Sequence, residues 1–369
     1  MQRHRILMVY LEPAAYVLDL IRCLRESSPA AIDVCFASIQ MTQRWDRPLD
    51  TSMEVLPANR WQLWCRLRQL MASGGYRLVH LAGWGGHPVL PMALILARCY
   101  RIQVSVETDT PLAVGQSRLK SLLKALVMPL WFRLPALFLP GGRRQAALLK
   151  HYGVEESRMA IVGMTVDVAA IIRHIDSADR KAIRQTLGVA EHEVVILYVG
   201  RMEPLKGIHE LLEAFQRLHQ ARGFTRLLLV GEGSLSGWLQ SLAAGTPGVL
   251  LAGRLSGAPL LDMYAAADFL VLPSHFESWG LVVNEAMAAG LPVVVSERAG
   301  CVDDLVQEGH NGFRVPPYTS TALEAAMHRL VEDAGLRQTM GQASRKIMGH
   351  WTLEAEAARM LAAWGGLGN

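Results

Sequence analysis

The stretch Val194-Val195-Ile196-Leu197-Tyr198-Val199-Gly200-Arg201-Met202-Glu203-Pro204-Leu205-Lys206-Gly207 decides the fold. Its first six residues are apolar or aromatic without polar alternation, and they run straight into a glycine. A strand of that pattern is buried on both faces, as in a parallel sheet covered by helices. Beyond the loop, apolar residues return at 208, 211, 212, 215 and 218, the spacing of an amphipathic helix. Strand, loop and helix therefore form the repeating unit.

That unit recurs in both directions. Short β-rich runs follow at 226–230, 249–252, 269–272, 293–295 and 313–315, and an earlier series lies at 6–11, 32–37, 78–81, 104–106, 136–139 and 159–162. Most are separated by enough chain for a crossover helix. Two such series in 369 residues predict an α/β protein of two Rossmann-like domains. The polar stretch 173–184 reads as the join, giving domains of 1–175 and 176–349, with 350–369 as a closing helix behind Thr352 as N-cap. Ligands of doubly wound sheets bind beyond the carboxyl ends of the strands, so two facing sheets would place the site in the cleft between them.

Composition narrows the class. With 51% hydrophobic and 19% charged residues, the chain has ample core material and is neither disordered nor of low complexity. Residues 1–180 hold 22 Lys/Arg against 14 Asp/Glu, a net +8, and the remainder 15 against 19, a net −4. The first half is therefore expected to face an anionic partner. Cys23, Cys35, Cys65, Cys99 and Cys301 are odd in number and widely spaced, which argues against a disulfide framework or a zinc site and for a reduced, cytoplasmic setting. The apolar run 6–11 stops at Glu12-Pro13, too short for an export signal. The uncharged stretch 78–97 contains glycines, prolines and histidines, and reads as strand, turn and helix rather than a membrane span.

The chemistry is concentrated in two loops. Arg201 and Lys206, on a Gly/Pro-bounded loop opening into a helix, suit an anion with several oxygens such as a diphosphate; two solvated surface charges are the plainer alternative. The second loop reads Pro273-Ser274-His275-Phe276-Glu277-Ser278-Trp279-Gly280, and a helical run from 281 to 289 follows it. Glu285 is the only charge in that run, and a carboxylate in so apolar a helix is costly unless a ligand with vicinal hydroxyls, such as a ribose, satisfies it. Glu277 precedes it with seven residues between.

Together these residues resemble the retaining nucleotide-sugar glycosyltransferases of family 4, whose fold is called GT-B. The likeness runs from about 194 to 315 and includes Gly231-Glu232-Gly233, Gly253-Arg254 and Met263-Tyr264-Ala265-Ala266-Ala267-Asp268; it is looser before 180. The resemblance implies two Rossmann-like domains facing across a cleft, with the C-terminal helix crossing back to the first. It implies that Arg201 and Lys206 hold the donor diphosphate, that Glu285 binds the ribose and that Glu277 binds the donor sugar. Gly200 and the backbone of Gly280, Leu281 and Val282 would face the phosphates, with Arg254 and Ser256 near the base. The family generally uses such groups in place of a metal, so no metal and no cofactor are expected, the sugar nucleotide being a substrate. The expected donor is a UDP- or GDP-sugar and the expected acceptor a glycan or polyprenyl-linked glycan of cell-surface polysaccharide assembly.

The first domain departs from the family pattern. Where many members have a Gly-rich loop after the first strand, this chain reads Leu11-Glu12-Pro13-Ala14-Ala15, and Asp109 stands where many have a histidine after the fourth strand. Asp109 would orient the donor sugar or the acceptor hydroxyl, or cap the turn that follows it. His80 and His87, flanking the loop 83–86, are candidate acceptor contacts or structural histidines. Between Asp109 and Glu155 there is no acidic residue, while Arg118, Lys120, Lys124, Arg133, Arg143, Arg144 and Lys150 alternate with apolar and aromatic residues; 60–68 repeats the mixture. This pattern predicts a peripheral position on an anionic membrane, on the inner face of the plasma membrane, with a basic solvent face or a positive cleft wall as the alternative. No helix-turn-helix, zinc or RNA-binding signature accompanies the basic residues, so nucleic acid is not expected as a partner. Two other readings of the chain are a catalytically silent sugar-nucleotide-binding subunit and a nucleotide-sugar epimerase or hydrolase.

Overall fold

The computed structural model describes residues 4–39, 49–112 and 118–368, the side chains of 118–123 and 368 excepted. It divides into two compact units: Met1–Met164 with Leu353–Asn369, and Thr165–Thr352.

Unit 1 begins with β1 (Arg5–Tyr10), α1 (Ala15–Ser27), β2 (Ala31–Phe36), β3 (Met53–Val55), α2 (Arg60–Ser73) and β4 (Tyr76–Leu81). It continues through α3 (Val89–Cys99), β5 (Gln103–Thr108), α4 (Arg118–Trp131), β6 (Leu137–Pro140) and α5 (Arg143–His151). Unit 2 opens with α6 (Val168–Ser177), α7 (Arg180–Thr186), β7 (Val194–Val199), α8 (Ile208–Arg222), β8 (Thr225–Val230), α9 (Ser236–Gly245) and β9 (Val249–Gly253). Then come α10 (Ala258–Ala266), β10 (Phe269–Leu272), α11 (Leu281–Ala288), β11 (Val293–Ser296), α12 (Val302–Leu305), β12 (Gly312–Val315), α13 (Ser320–Glu332) and α14 (Ala334–Met348). The chain returns to unit 1 as α15 (Leu353–Gly365).

Each unit holds one six-stranded sheet, ordered β3-β2-β1-β4-β5-β6 and β12-β11-β10-β7-β8-β9. Among the described residues every pairing between these strands is parallel. In both sheets the first strand of the unit lies mid-sheet, and the winding reverses beside it: between β1 and β4 in unit 1, and between β7 and β10 in unit 2. These are the switch points at which such sheets open a crevice.

The cores follow from the pleat. In β1, Leu7 and Val9 join one cluster with Leu63 and Leu67 of α2 and Leu90 and Leu94 of α3. The alternate residues Ile6, Met8 and Tyr10 face the other side, toward α1 and α15. Leu353, Ala357, Met360 and Trp364 form one stripe along α15 and are buried in that cluster with Leu20, Ile21 and Leu24 of α1. In unit 2, all six residues of β7 are buried, and Ile196 and Tyr198 pack with Ile208, Leu211 and Phe215 of α8.

The structure moves the join read from the sequence. Residues 173–184 belong to α6 and α7, which pack on α10 and α11 within unit 2, and the units part instead at Met164/Thr165 and Thr352/Leu353. The polarity of the stretch has a local cause. Arg180 donates to Ala267 O at 3.0 Å and Asp268 Oδ1 at 2.7 Å, and buried Arg184 donates to Asp268 Oδ2 at 3.3 Å. The run 159–162 is not a strand either: it makes a single bridge, Phe138 to Met159. Among the described residues no helix is long and apolar enough to cross a membrane.

Candidate active site

In unit 2 the loops that follow β7 and β10 meet over the switch point. Gly207 closes the first loop at φ 69°, and a Cβ there would lie 2.2 Å from Pro273 O. Only glycine tolerates both that conformation and that approach. The contact brings the preceding residue, Lys206, onto Glu277: Nζ donates to Oε2 at 2.6 Å, with both side chains largely buried. Gly200 starts the same loop, its amide held by Val230 O at 3.0 Å. Arg201 is exposed, and among the described residues its guanidinium has no ion-pair partner. Its carbonyl accepts a hydrogen bond from Tyr198 at 2.9 Å.

The Glu277 loop is pinned at its far end, where Gly300 donates to Glu277 O and Cys301 to Trp279 O, each at 3.0 Å. Gly280, at φ 102°, turns the chain into α11. A Cβ at Gly280 would come within 3.1 Å of Leu272 and 3.3 Å of Glu277. The turn leaves Leu281 and Val282 in the first turn of the helix, where backbone N–H groups lack intrahelical partners. Glu285 follows one turn later. Tyr264 of α10 donates to its Oε2 at 2.5 Å. Burial among the apolar residues of α11 pushes the Glu285 carboxyl up to about 7, against the opposing pull of the Tyr264 hydrogen bond. The Tyr264 phenol is in turn driven well above its ordinary value by burial and by the Glu285 charge.

Two further loops share this edge of the sheet. A Cβ on Gly231 would lie 1.9 Å from Gly200 O, and the Gly231 amide donates to Gly253 O at 2.8 Å. Glu203 accepts from the Ser234 amide at 3.0 Å and its hydroxyl at 2.6 Å, tying the β7 loop to the β8 loop. Arg254 and Ser256 are exposed in the loop after β9. The donor residues predicted in unit 2 thus sit beyond the carboxyl ends of β10, β7 and β9, with Lys206 and Glu277 in direct contact. Tyr264 escapes a reading of the sequence for donor contacts. Its one signal is a lone polar group in the apolar segment before Asp268.

Asp109, His80 and His87 lie in unit 1. His80 is on β4 and fully buried, with Nδ1 at 3.0 Å from Ser105 Oγ and Nε2 at 3.1 Å from Glu107 Oε2. Both ring nitrogens are occupied inside the core, so His80 is no direct acceptor contact. His87 is half-buried. Its Nδ1 accepts the Val89 amide at 3.2 Å at the start of α3, and burial lowers its basicity. Asp109 is exposed; its Oδ1 accepts from Thr110 Oγ1 at 3.3 Å, and its carbonyl accepts from Gln145 at 3.0 Å. Asp109 and Glu107 line a cavity of about 760 Å³ beyond the ends of β1, β4 and β5. Glu107 is the residue that sequence reading misses: it lies near the end of β5, two residues before Asp109. Among the described residues no group of three or more His, Cys, Asp or Glu converges as a metal site.

Comparison with known proteins accords with this geometry. Residues 179–347 match the family model for glycosyl transferases group 1. The chain is 29% identical over 316 residues to the D-inositol 3-phosphate glycosyltransferase of Thermobifida fusca, covering 79% of this chain and 70% of that one. It is 36% identical over 186 residues to the glycogen synthase of Mycobacterium tuberculosis, covering 49% of this chain and 44% of that one. Against several such curated relatives the matched part spans about half their length or less. The crystal structure of Anabaena Alr3699/HepE in complex with UDP superposes with a TM-score of 0.81 at 19% identity, covering 98% of this chain and 100% of that one. The same protein is also solved with UDP-glucose. The chain has the GT-B fold, and its second unit is similar to the glycosyl transferases group 1 family.

Proposed function

We propose that the chain is a retaining, metal-independent glycosyltransferase of family 4. It moves a sugar from a UDP- or GDP-sugar to a glycan or polyprenyl-linked acceptor in cell-surface polysaccharide assembly. The observation that carries this reading is the Lys206–Glu277 pair at 2.6 Å over the unit 2 switch point, beside the helix that holds Glu285. UDP and UDP-glucose complexes of the similarly folded Anabaena protein support the donor class.

The chemistry follows from the residues. Departure of a nucleoside diphosphate builds negative charge on the β-phosphate. Lys206, Arg201 and the amides opening α11 are fixed charges and dipoles that stabilise it as it forms. Glu277 holds the Lys206 ammonium in place before the donor arrives, so little reorganisation is left for the transition state. Its carboxylate also accepts hydrogen bonds from the donor sugar. Glu285, once ionised, accepts the ribose hydroxyls. The acceptor attacks from the face of the departing diphosphate, a phosphate oxygen takes its proton, and the anomeric configuration is kept.

The same reading puts the protein peripherally on the cytoplasmic leaflet. On unit 1, Trp61 is 73% exposed between Arg60 and Arg68, and Leu126 and Leu130 of α4 are exposed near Lys124 and Arg133. Apolar side chains flanked by cations are suited to an anionic bilayer surface. Flotation with phosphatidylglycerol vesicles at low salt is expected, and protein left at the bottom of the gradient removes the membrane part of the proposal. For the donor, thermal midpoints are measured with UDP, GDP, ADP and dTDP. One nucleotide is expected to raise the midpoint and to lose that effect in Glu285→Ala. No shift from any of them at millimolar concentration overturns the transferase reading.

A further inference from the structure

Lys206 and Glu277 meet on two segments that reach out of the core, and their neighbours Leu205 and Phe276 are exposed. Three contacts join these segments: Gly207 against Pro273, Lys206 on Glu277, and the His275 amide donating to Leu205 O at 2.8 Å. They fix the segments to each other. The side chain of His275 ties them to two further elements.

The first is α8. His275 Nε2 lies 2.9 Å from Glu210 Oε1, and both side chains are largely buried. Glu210 stands in the first turn of α8, where the helix N-terminus favours a carboxylate. Its other oxygen, Oε2, is buried without a hydrogen-bond partner among the described residues, so the carboxylate depends on His275. Because a carboxylate only accepts, Nε2 donates, and the ring is held in one orientation. The helix itself has no need of this tie: Ile208, Leu211, Leu212 and Phe215 already bury it in the core of unit 2. The pair therefore restrains the loop rather than the helix.

The second is the segment between β12 and α13. The ring of Tyr318 lies 3.8 Å from the His275 ring at an angle of 30°. Tyr318 is 66% exposed and has φ 60°, a left-handed conformation that strains any residue with a β-carbon and costs glycine nothing. Burial does not account for a tyrosine there; its contact with His275 does. Strain of this kind persists where the surrounding contacts over-determine it, as they do at ligand-binding loops. We propose that Glu210, His275 and Tyr318 are positioning residues for the donor diphosphate: they fix the 275–277 segment and, through Glu277, the Lys206 ammonium. The proposal rests on the sugar-nucleotide reading of this site and adds to it what holds the two charges in place.

The test titrates the full chain with UDP, UMP, GDP and GMP by calorimetry and records thermal midpoints. On the proposed reading the base and ribose contacts lie on the loop after β9 and on α11, so a nucleoside monophosphate probes them alone, and the β-phosphate adds Lys206. His275→Leu and Tyr318→Gly are each expected to cut the ratio of diphosphate to monophosphate affinity at least about fivefold, with monophosphate affinity within about twofold of wild type. Tyr318→Phe, which restores the ring, is expected to recover the ratio to within about twofold. Glycine at 318 relieves the left-handed strain, so the Tyr318→Gly midpoint is expected to be no lower than that of wild type. The proposal is overturned if either His275→Leu or Tyr318→Gly keeps the wild-type ratio, or if Tyr318→Phe does not recover it. It is also overturned if both affinities fall together with the midpoint, the outcome of a purely structural role. If His275→Leu does not fold, Tyr318→Gly decides alone. A wild type that binds neither diphosphate removes the sugar-nucleotide reading and the positioning role with it; a wild-type diphosphate preference that Tyr318→Gly leaves intact removes the positioning role alone.

Discussion

Glu285 sits where two demands on a carboxylate conflict. The apolar helix around it favours the protonated form, and the Tyr264 hydrogen bond at 2.5 Å favours the ionised one; burial prevails, so its carboxyl titrates at about 7. The unfolded chain releases that proton in the usual carboxylate range, near 4.5. Between those two values the native state holds more protons than the unfolded state, so this residue's contribution to stability falls as pH rises and is flat above about 7. A glutamine in its place has no proton to release. Glu285→Gln should therefore melt close to wild type at about pH 4.5 and at a higher temperature than wild type at about pH 8. Nucleotide binding reverses the preference, because ribose hydroxyls donate to the ionised form. On the proposed reading, wild-type affinity for the nucleotide rises up to about pH 7, and calorimetry below that value in buffers of different ionisation enthalpy detects proton release. An identical pH dependence of the midpoint in wild type and Glu285→Gln would sink the assignment.

At the scale of elements, α11 is positioned by polar contacts beneath it. Trp279, 2% exposed, donates from Nε1 to Asn284 Oδ1 at 2.9 Å, and its ring lies 5.7 Å from that of Trp351. Thr165 Oγ1 donates to Trp351 O at 2.6 Å and lies 3.5 Å from Asn284 Nδ2. Asn284→Leu keeps the volume but leaves the buried Trp279 N–H unpaired, at a cost of about 1–3 kcal/mol. The midpoint should drop by about 4–8 °C for a loss of about 2 kcal/mol. Nucleotide affinity should drop with it, because the helix start moves; an unchanged midpoint and affinity would show that the contacts do not position the helix. None of this is legible from sequence, since Trp279 and Asn284 read as ordinary members of a loop and a helix. The strands of unit 2 are legible because a run such as β7 is apolar at every position, which only burial on both faces explains. The three-residue β3 carries no such run, and α7 passes for a linker because its arginines pair with Asp268, a partner 88 and 84 residues away in sequence. The two loop glutamates and cations are found because loop charges after apolar strands stand out. Glu107 is missed because a single acid inside a strand does not.

The whole chain is built so that unit 1 is not finished until residue 353 is passed. Its sheet is made by residues before 164, but the face of β1 that carries Ile6, Met8 and Tyr10 is covered in part by α15. Four side chains do the covering: Leu353, Ala357, Met360 and Trp364, all buried. At about 1.5–3 kcal/mol for each large apolar side chain, they contribute about 5–9 kcal/mol, which rivals the total stability of an ordinary domain. Polar links add to this: Trp364 Nε1 donates to Ser105 Oγ at 3.0 Å, and Arg359 Nε to Val162 O at 2.7 Å. The apolar cluster around β7 and α8 in unit 2 draws on no residue of this helix. Removal of residues 353–369 should therefore act on one unit only. In hydrogen exchange, amides of β1 and β4 should lose most of their protection while those of β7 and β8 keep theirs, and nucleotide binding should persist at reduced expression yield. Trp364→Leu, which keeps the apolar cover and removes the bond to Ser105, should loosen β5 slightly and leave β1 protected. If the truncated chain protects β1 as the full chain does, α15 is an ornament on unit 1 rather than part of its core, and the close packing of its four apolar residues counts for little.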